Sequence, residues 1–275
     1  MKTLVEPEAM AALSREWRRD GLRIGFVPTM GFLHRGHVSL MERLRPEVDR
    51  LVVSVYVNPL QFGANEDLSR YPRDVEGDSK KCHDAGADVL FLPTDLYPKG
   101  FSTSVHVHGL TDGLCGAFRP GHFEGVATVC ARLFGVVGCD VAILGEKDWQ
   151  QLAVVRRMVR DLALPMQVVG GGLVRDDDGL ALSSRNVYLS PGERVRALSL
   201  SRGLFAMRDA AAAGERDIAN LVTIGRGAID ADTVQYVEIV DADDLVPLAT
   251  LDRPARALVA AYVGRTRLID NVALG

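Results

Sequence analysis

The hydrophobic positions of this chain switch repeatedly between two periods. Residues 24–27, Ile-Gly-Phe-Val, are an apolar run of the kind a buried parallel strand shows. Pro28 lacks an N–H donor and is expected to end regular pairing. Val38, Leu40, Met41 and Leu44 then recur at helical spacing. The same alternation continues with strands at 50–57, 88–93, 140–145 and 164–170, and helices at 7–20, 74–85, 126–137 and from Lys147 on. Strand alternating with helix predicts an α/β, Rossmann-like doubly wound parallel sheet. Gly170, Gly171 and Gly172 in a row are the best hinge, dividing a domain at 1–172 from one at 173–275. The second part predicts helices at 191–213 and 218–229, a strand at 234–241 and a hairpin turning at Gly264-Arg265, hence a small α+β domain expected to act as a lid. Residues 103–109 alternate like an edge strand, with His106 and His108 on one face as solvated residues.

Composition narrows the class. The chain has 275 residues, 47% hydrophobic and 25% charged, as for a soluble globular protein. A formal charge of −4 argues against a dedicated nucleic-acid binder. Cys82, Cys115, Cys130 and Cys139 form no Cys-x-x-Cys, so reduced thiols in a cytoplasmic protein are expected. The first residues have no apolar stretch of the signal-peptide kind, and no run is long enough to span a bilayer.

The chemistry collects where strands give way to helices, the edge at which open α/β sheets bind ligands. His34 and His37 lie at such a junction, with Gly31 and Gly36 allowing the backbone close to a ligand. Imidazoles beside helix N-terminal amides suit a phosphate whose charge rises during transfer. The later strand ends at Gly145, followed by Glu146, Lys147 and Asp148. Lys147 supplies a point charge for phosphate, Asp148 can accept from ribose hydroxyls, and Gln151 lies one turn on, toward the same cleft. Ser183, Ser184 and Arg185 offer two hydroxyls and a guanidinium, a clamp for a leaving pyrophosphate. Gln61, after the second strand, can read a hydroxyl and a carboxylate together, while Arg119 and His122 in a Gly/Pro loop could face an anion. Asp176, Asp177 and Asp178 with Gly179 read as a solvated turn rather than a metal site.

These motifs carry a resemblance. Met-Gly-x-Leu-His-x-Gly-His is similar to the His-x-Gly-His signature of the nucleotidyltransferase superfamily, and the full Pro28-to-His37 stretch resembles the pantoate–β-alanine ligase family. Val-Asn-Pro-Leu-Gln-Phe, Glu-Asp-Leu-x-x-Tyr-Pro-Arg, Leu-Cys-Gly-x-x-Arg-Pro-Gly-His-Phe, Gly-Glu-Lys-Asp-x-Gln-Gln-Leu and Gly-Leu-Ala-Leu-Ser-Ser-Arg-Asn follow in the family's order over nearly the whole chain. Trp149, where that family more often has Phe or Tyr, is expected off the cleft. The resemblance implies ATP-dependent condensation of pantoate with β-alanine through an acyl adenylate, with Mg²⁺ accompanying ATP, in a cytoplasmic homodimer. It implies ATP contacts from Met30, Gly31, Phe32, Leu33, His34, Arg35, Gly36 and His37, from Gly145, Glu146, Lys147 and Asp148, and from Val174, Leu182, Ser183, Ser184 and Arg185. Substrate contacts fall to Gln61 and Gln151, with Asn58 and Arg119 beside them; His34, His37, Lys147, Ser183, Ser184 and Arg185 are the catalytic candidates, His37 as proton donor. The alternative is another adenylyltransferase of the superfamily.

Overall fold

The computed structural model describes residues 1–64 and 66–275. Six strands, β1 (Lys2–Leu4), β2 (Ile24–Thr29), β3 (Arg50–Val55), β4 (Val89–Phe91), β5 (Val141–Gly145) and β6 (Gln167–Gly171), form a parallel sheet in the order β1-β4-β3-β2-β5-β6. Between them run α1 (Pro7–Arg19), α2 (Arg35–Leu44), α3 (Val75–Asp84), α4 (Cys115–Phe118), α5 (His122–Val137) and α6 (Trp149–Asp161). Side chains alternate across the strands. Phe26, Val52 and Phe91 therefore pack with Met10, Trp17 and Phe134 on one face, and Val27, Leu51, Val53 and Leu90 with Leu40, Met41 and Cys82 on the other. Both faces are covered by helices, so the sheet is doubly wound.

From β2 the chain builds outward through β3 and β4, then crosses back to place β5 on the other side of β2. That reversal is a topological switch point, and β2 and β5 are the strands that end in His-x-Gly-His and Gly-Glu-Lys-Asp.

After Gly171 the chain adds α7 (Pro191–Ala212), α8 (Ile218–Ala228) and an antiparallel sheet, β7 (Thr233–Asp241), β8 (Ala255–Val263) and β9 (Thr266–Leu274). Leu200, Leu204, Met207 and Leu221 close a separate core against Val237, Val259 and Ala261. Gly264, at φ +58°, turns the expected hairpin.

Three expectations change. Pro28 does not end β2, which stays paired with β3 to Thr29. Ile24 bonds on the β5 side, Pro28 has the same parity, and the β5 pairing stops at Phe26, so the missing donor faces no ladder. Residues 103–109 are irregular, because the place beside β4 is taken by β1, which the pattern did not announce. Val107 packs into the core under α5, and Val105 N–H donates to Thr128 Oγ1. Helix α5 starts at His122, a turn before the apolar run that marked it. Among the described residues no helix is long and apolar enough to cross a membrane.

Candidate active site

The turn after β2 is built to hold two imidazoles. Gly31 (φ +84°) and Phe32 (φ +51°) are both left-handed. Asp78, buried on α3, holds them there by accepting from Phe32 N–H at 2.8 Å and Leu33 N–H at 2.6 Å. His34 is the N-cap of α2, with extended backbone (φ −121°, ψ 175°), and its N–H donates to His37 Nδ1 at 3.3 Å. The two rings lie 4.0 Å apart. Gly36 makes room: a Cβ there would sit 3.0 Å from Nδ1 and Cε1 of His34.

Because His37 Nδ1 accepts, the ring's proton is assigned to Nε2. Burial, then the neighbouring His34 and Lys147, depress the His37 pKa to about 3; burial and Lys147 depress that of His34 to about 4. Both are neutral near pH 7. His37 can offer Nε2–H as a donor, and the buried Nδ1 of His34 has no partner among the described residues.

The second strand end presents Gln61, buried, in a web of its own. Its Oε1 accepts from Asn58 Nδ2 at 3.1 Å, and its Nε2 faces Met30 Sδ at 3.1 Å. Asn58 is buried too: Nδ2 also donates to Gly125 O, and Oδ1 accepts from Tyr97 OH at 2.7 Å. Gly125 is required there, since a Cβ would collide with the Leu60 carbonyl. The carbonyl of Gln61 accepts from His122 Nδ1 at 2.8 Å, and Arg119 Nη1 donates to His122 Nε2 at 2.9 Å. Arg119 is itself paired with Glu66 through two 2.6 Å bonds. Burial raises the Glu66 pKa but the guanidinium more than reverses it; burial beside Arg119 lowers that of His122 to about 4. Asn58, Arg119 and His122 thus sit behind Gln61, and Arg119 also reaches the cleft wall.

A cleft of about 720 Å³ opens between the carboxyl edge of the parallel sheet and the β8–β9 hairpin, lined by Lys147, Asp148, Ser183, Arg185 and Arg119 among others. A smaller cavity beside it shares Arg119, Lys147 and Asp148 and adds Gln151 and Trp149, which was expected off the cleft. Gln150, the first of the pair, is structural: it accepts from Cys115 N–H and donates to the carbonyls of Leu110 and Gly113. Arg185 is bidentate to Asp67 (2.9 and 3.0 Å) and lies over Tyr71. His34 and His37 are not on the cleft wall. Residues 182–184 cover their turn, with Leu182 beside Gly36 and Ser184 Oγ donating to Phe32 O at 3.4 Å. Leu182 N–H donates to Val174 O, Gly145 ends β5, and Arg35 is exposed on the first turn of α2.

Sequence reasoning missed Asp78 and the residues of β9 that brace this edge. Asp78 sits on α3, far along the chain from the turn it holds, and no local pattern points to it.

Fold and site define an α/β enzyme with its polar centre at a switch point, built of neutral imidazoles, a lysine and a hydroxyl-guanidinium segment. The sequence profile of pantoate–β-alanine ligase matches residues 2–273. Pantothenate synthetase of Heliobacterium modesticaldum is 53% identical over 277 aligned positions, covering 99% of each chain. The crystal structure of pantothenate synthetase from Thermus thermophilus superposes with a TM-score of 0.93 at 49% identity, over 99% of each chain. Pantoate–β-alanine ligase from Francisella tularensis, solved with beta-gamma ATP and β-alanine, superposes at 0.83 and 29% identity, over 99% of this chain and 97% of that one. The chain belongs to the pantoate–β-alanine ligase family and is a ligase.

Proposed function

We propose that the protein joins pantoate to β-alanine at the expense of ATP, through a pantoyl adenylate. The observation that carries this is the placement, at one switch point, of His34, His37 and Lys147 beside a buried neutral amide, Gln61. The nucleotide and β-alanine bound to the Francisella ligase support the substrates.

In the first step a pantoate carboxylate oxygen attacks the α-phosphorus, and the bond to the bridging oxygen breaks to release pyrophosphate. In the second the β-alanine amine attacks the acyl carbon, loses a proton, and AMP leaves with the former carboxylate oxygen. The enzyme positions reactants and stabilises phosphate charge, so no covalent nucleophile is needed. His37 acts first as a hydrogen-bond donor through Nε2. A pKa of about 3 leaves it neutral at rest, with no imidazolium proton to transfer, and the proton-donor role implied by resemblance needs a bound phosphate to raise it. Lys147 supplies the positive charge; Ser183, Ser184 and Arg185 take the pyrophosphate; Asp148 takes the ribose; Gln61 and Gln151 hold pantoate. We place Asn58 and Arg119 behind Gln61 as supports. Neutral Gln61 and Gln151 disfavour a phosphate acceptor, which would call for more cations.

Among the described residues no three His, Cys, Asp or Glu side chains gather as a cation cage. Mg²⁺ bound with a nucleotide keeps waters and phosphate oxygens as most of its ligands, so it needs no such cage to accompany ATP. The working units are residues 1–172 and 173–275. A homodimer and a cytoplasmic location rest on the family resemblance alone, and sedimentation tests the first.

Pantoate labelled with ¹⁸O in its carboxylate tests the route. Adenylation delivers one label to AMP; label in inorganic phosphate instead would mean an acyl phosphate.

A further inference from the structure

We infer that Asp270 and Asn271, neighbours on β9, are positioning residues that grip both loops flanking the cleft at once. If ATP occupies the cleft as proposed above, they set how its two binding segments face each other.

Asn271 Nδ2 donates to the main-chain carbonyls of Glu146 and Lys147, both at 2.9 Å. Those bonds fix the peptide planes on either side of Lys147, and with them the direction in which its side chain leaves the backbone. Asp270 binds Arg175 through two bonds, 2.6 and 2.8 Å. Arg175 stands at the root of the segment that returns as Leu182 to Arg185: it bridges to Ala181 and donates to Gly179 O, while Leu182 N–H donates to Val174 O. Consecutive strand residues point to opposite faces, which is how neighbours reach two separate loops. Asn271 N–H donates to Asp270 Oδ1 at 2.7 Å and ties the grips together. Both residues are buried, at 4% and 3% exposure.

Other contacts join β7–β9 and the loop that follows β7 to the same turn, but through side chains: Arg256 pairs with Glu146 at 3.2 Å, and Trp149 Nε1 donates to Ala242 O. Among the described residues Asn271 alone among β7–β9 side chains binds the main chain of that turn. The second sheet therefore contributes to the site without a reacting group of its own.

Asn271→Asp keeps the shape but turns a double donor into a carboxylate facing two carbonyls. The expected result is a folded protein whose KM for ATP rises about tenfold or more and whose pantoate-dependent pyrophosphate exchange falls by up to roughly a hundredfold, with the KM for pantoate unchanged. Asn271→Ser, which keeps one donor, should fall between, and decides by the same criterion if the aspartate variant does not fold. A folded variant with wild-type KM for ATP overturns the inference. So does a lowered Tm with unchanged KM, the signature of a purely structural residue. Calorimetric ATP binding separates the two readings: wild-type binding without exchange would sink the proposed reaction, yet weaker binding by the variants would still uphold the grip.

Discussion

Replacing Glu66 by glutamine separates two ways in which Arg119 can serve the site. The guanidinium lies on the cleft wall, where it could meet a substrate carboxylate, but Glu66 already holds it through two 2.6 Å bonds. The remaining donors go to His122 Nε2 and, at 3.3 Å, to the carbonyl of Gln61. If Arg119 acts by holding Gln61, loss of the carboxylate loosens that carbonyl and the pantoate pocket with it. The pair is 15% and 26% exposed, so solvent screens part of it, and the loss of stability should be about 1–3 kcal/mol. For a chain of this size that is roughly 2–8 °C in Tm. The KM for pantoate should rise about tenfold, the equivalent of 1.4 kcal/mol, and Arg119→Met should do the same. Thermal melts and pantoate saturation curves read both effects. If Glu66→Gln instead lowers the KM for pantoate while Arg119→Met raises it, the carboxylate competes with substrate for the guanidinium, and the supporting role is wrong.

Three further expectations follow from the same geometry. Gly36→Ala puts a Cβ 3.0 Å from the His34 ring, so kcat should drop about tenfold with little change in Tm; wild-type turnover would show that the ring's position is not critical. Asp78→Asn leaves one acceptor for two amides at a left-handed Phe32, which should cost about 1–3 kcal/mol in denaturant unfolding and lower kcat; an unchanged midpoint would contradict the clamp. Burial depresses His34, His37 and His122 to about 4, 3 and 4 from an ordinary 6.5. The unfolded chain then binds protons that the folded chain refuses, so their stability is full above about pH 6.5 and is lost as pH falls toward 4 and 3. Tm should decline from pH 7 to 4.5, and a flat profile there would mean the imidazoles are not desolvated.

The sheet was legible because buried parallel strands are short, apolar and bounded by glycine and proline, and the motifs were legible because they follow those strands directly. What local pattern could not show was contact across distance. Strand β1 has three residues, two of them exposed, and only the free edge of β4 makes it a strand. Pro28 reads as a strand breaker until its parity toward β5 is known. Residues 103–109 alternate correctly for a strand but pair with none, the edge of β4 being already taken by β1. At the candidate site, His34, His37, Lys147 and Arg185 were picked out by motifs that resemble the family's, whereas Asp78 and Asn271 act from 45 and 124 residues away and carry no local mark. Arg119 and Asn58 were visible as polar residues, but their attachment to Glu66 and to Gln61 is a matter of tertiary structure.

Pyrophosphate–ATP exchange, run without β-alanine over a panel of small acids, tests the central claim most directly. The expected result is exchange that depends on pantoate and is lost in a folded His37→Ala variant. Exchange with a different acid alone would keep the adenylating chemistry and discard the substrate. ATP binding without exchange for any acid would contradict the account.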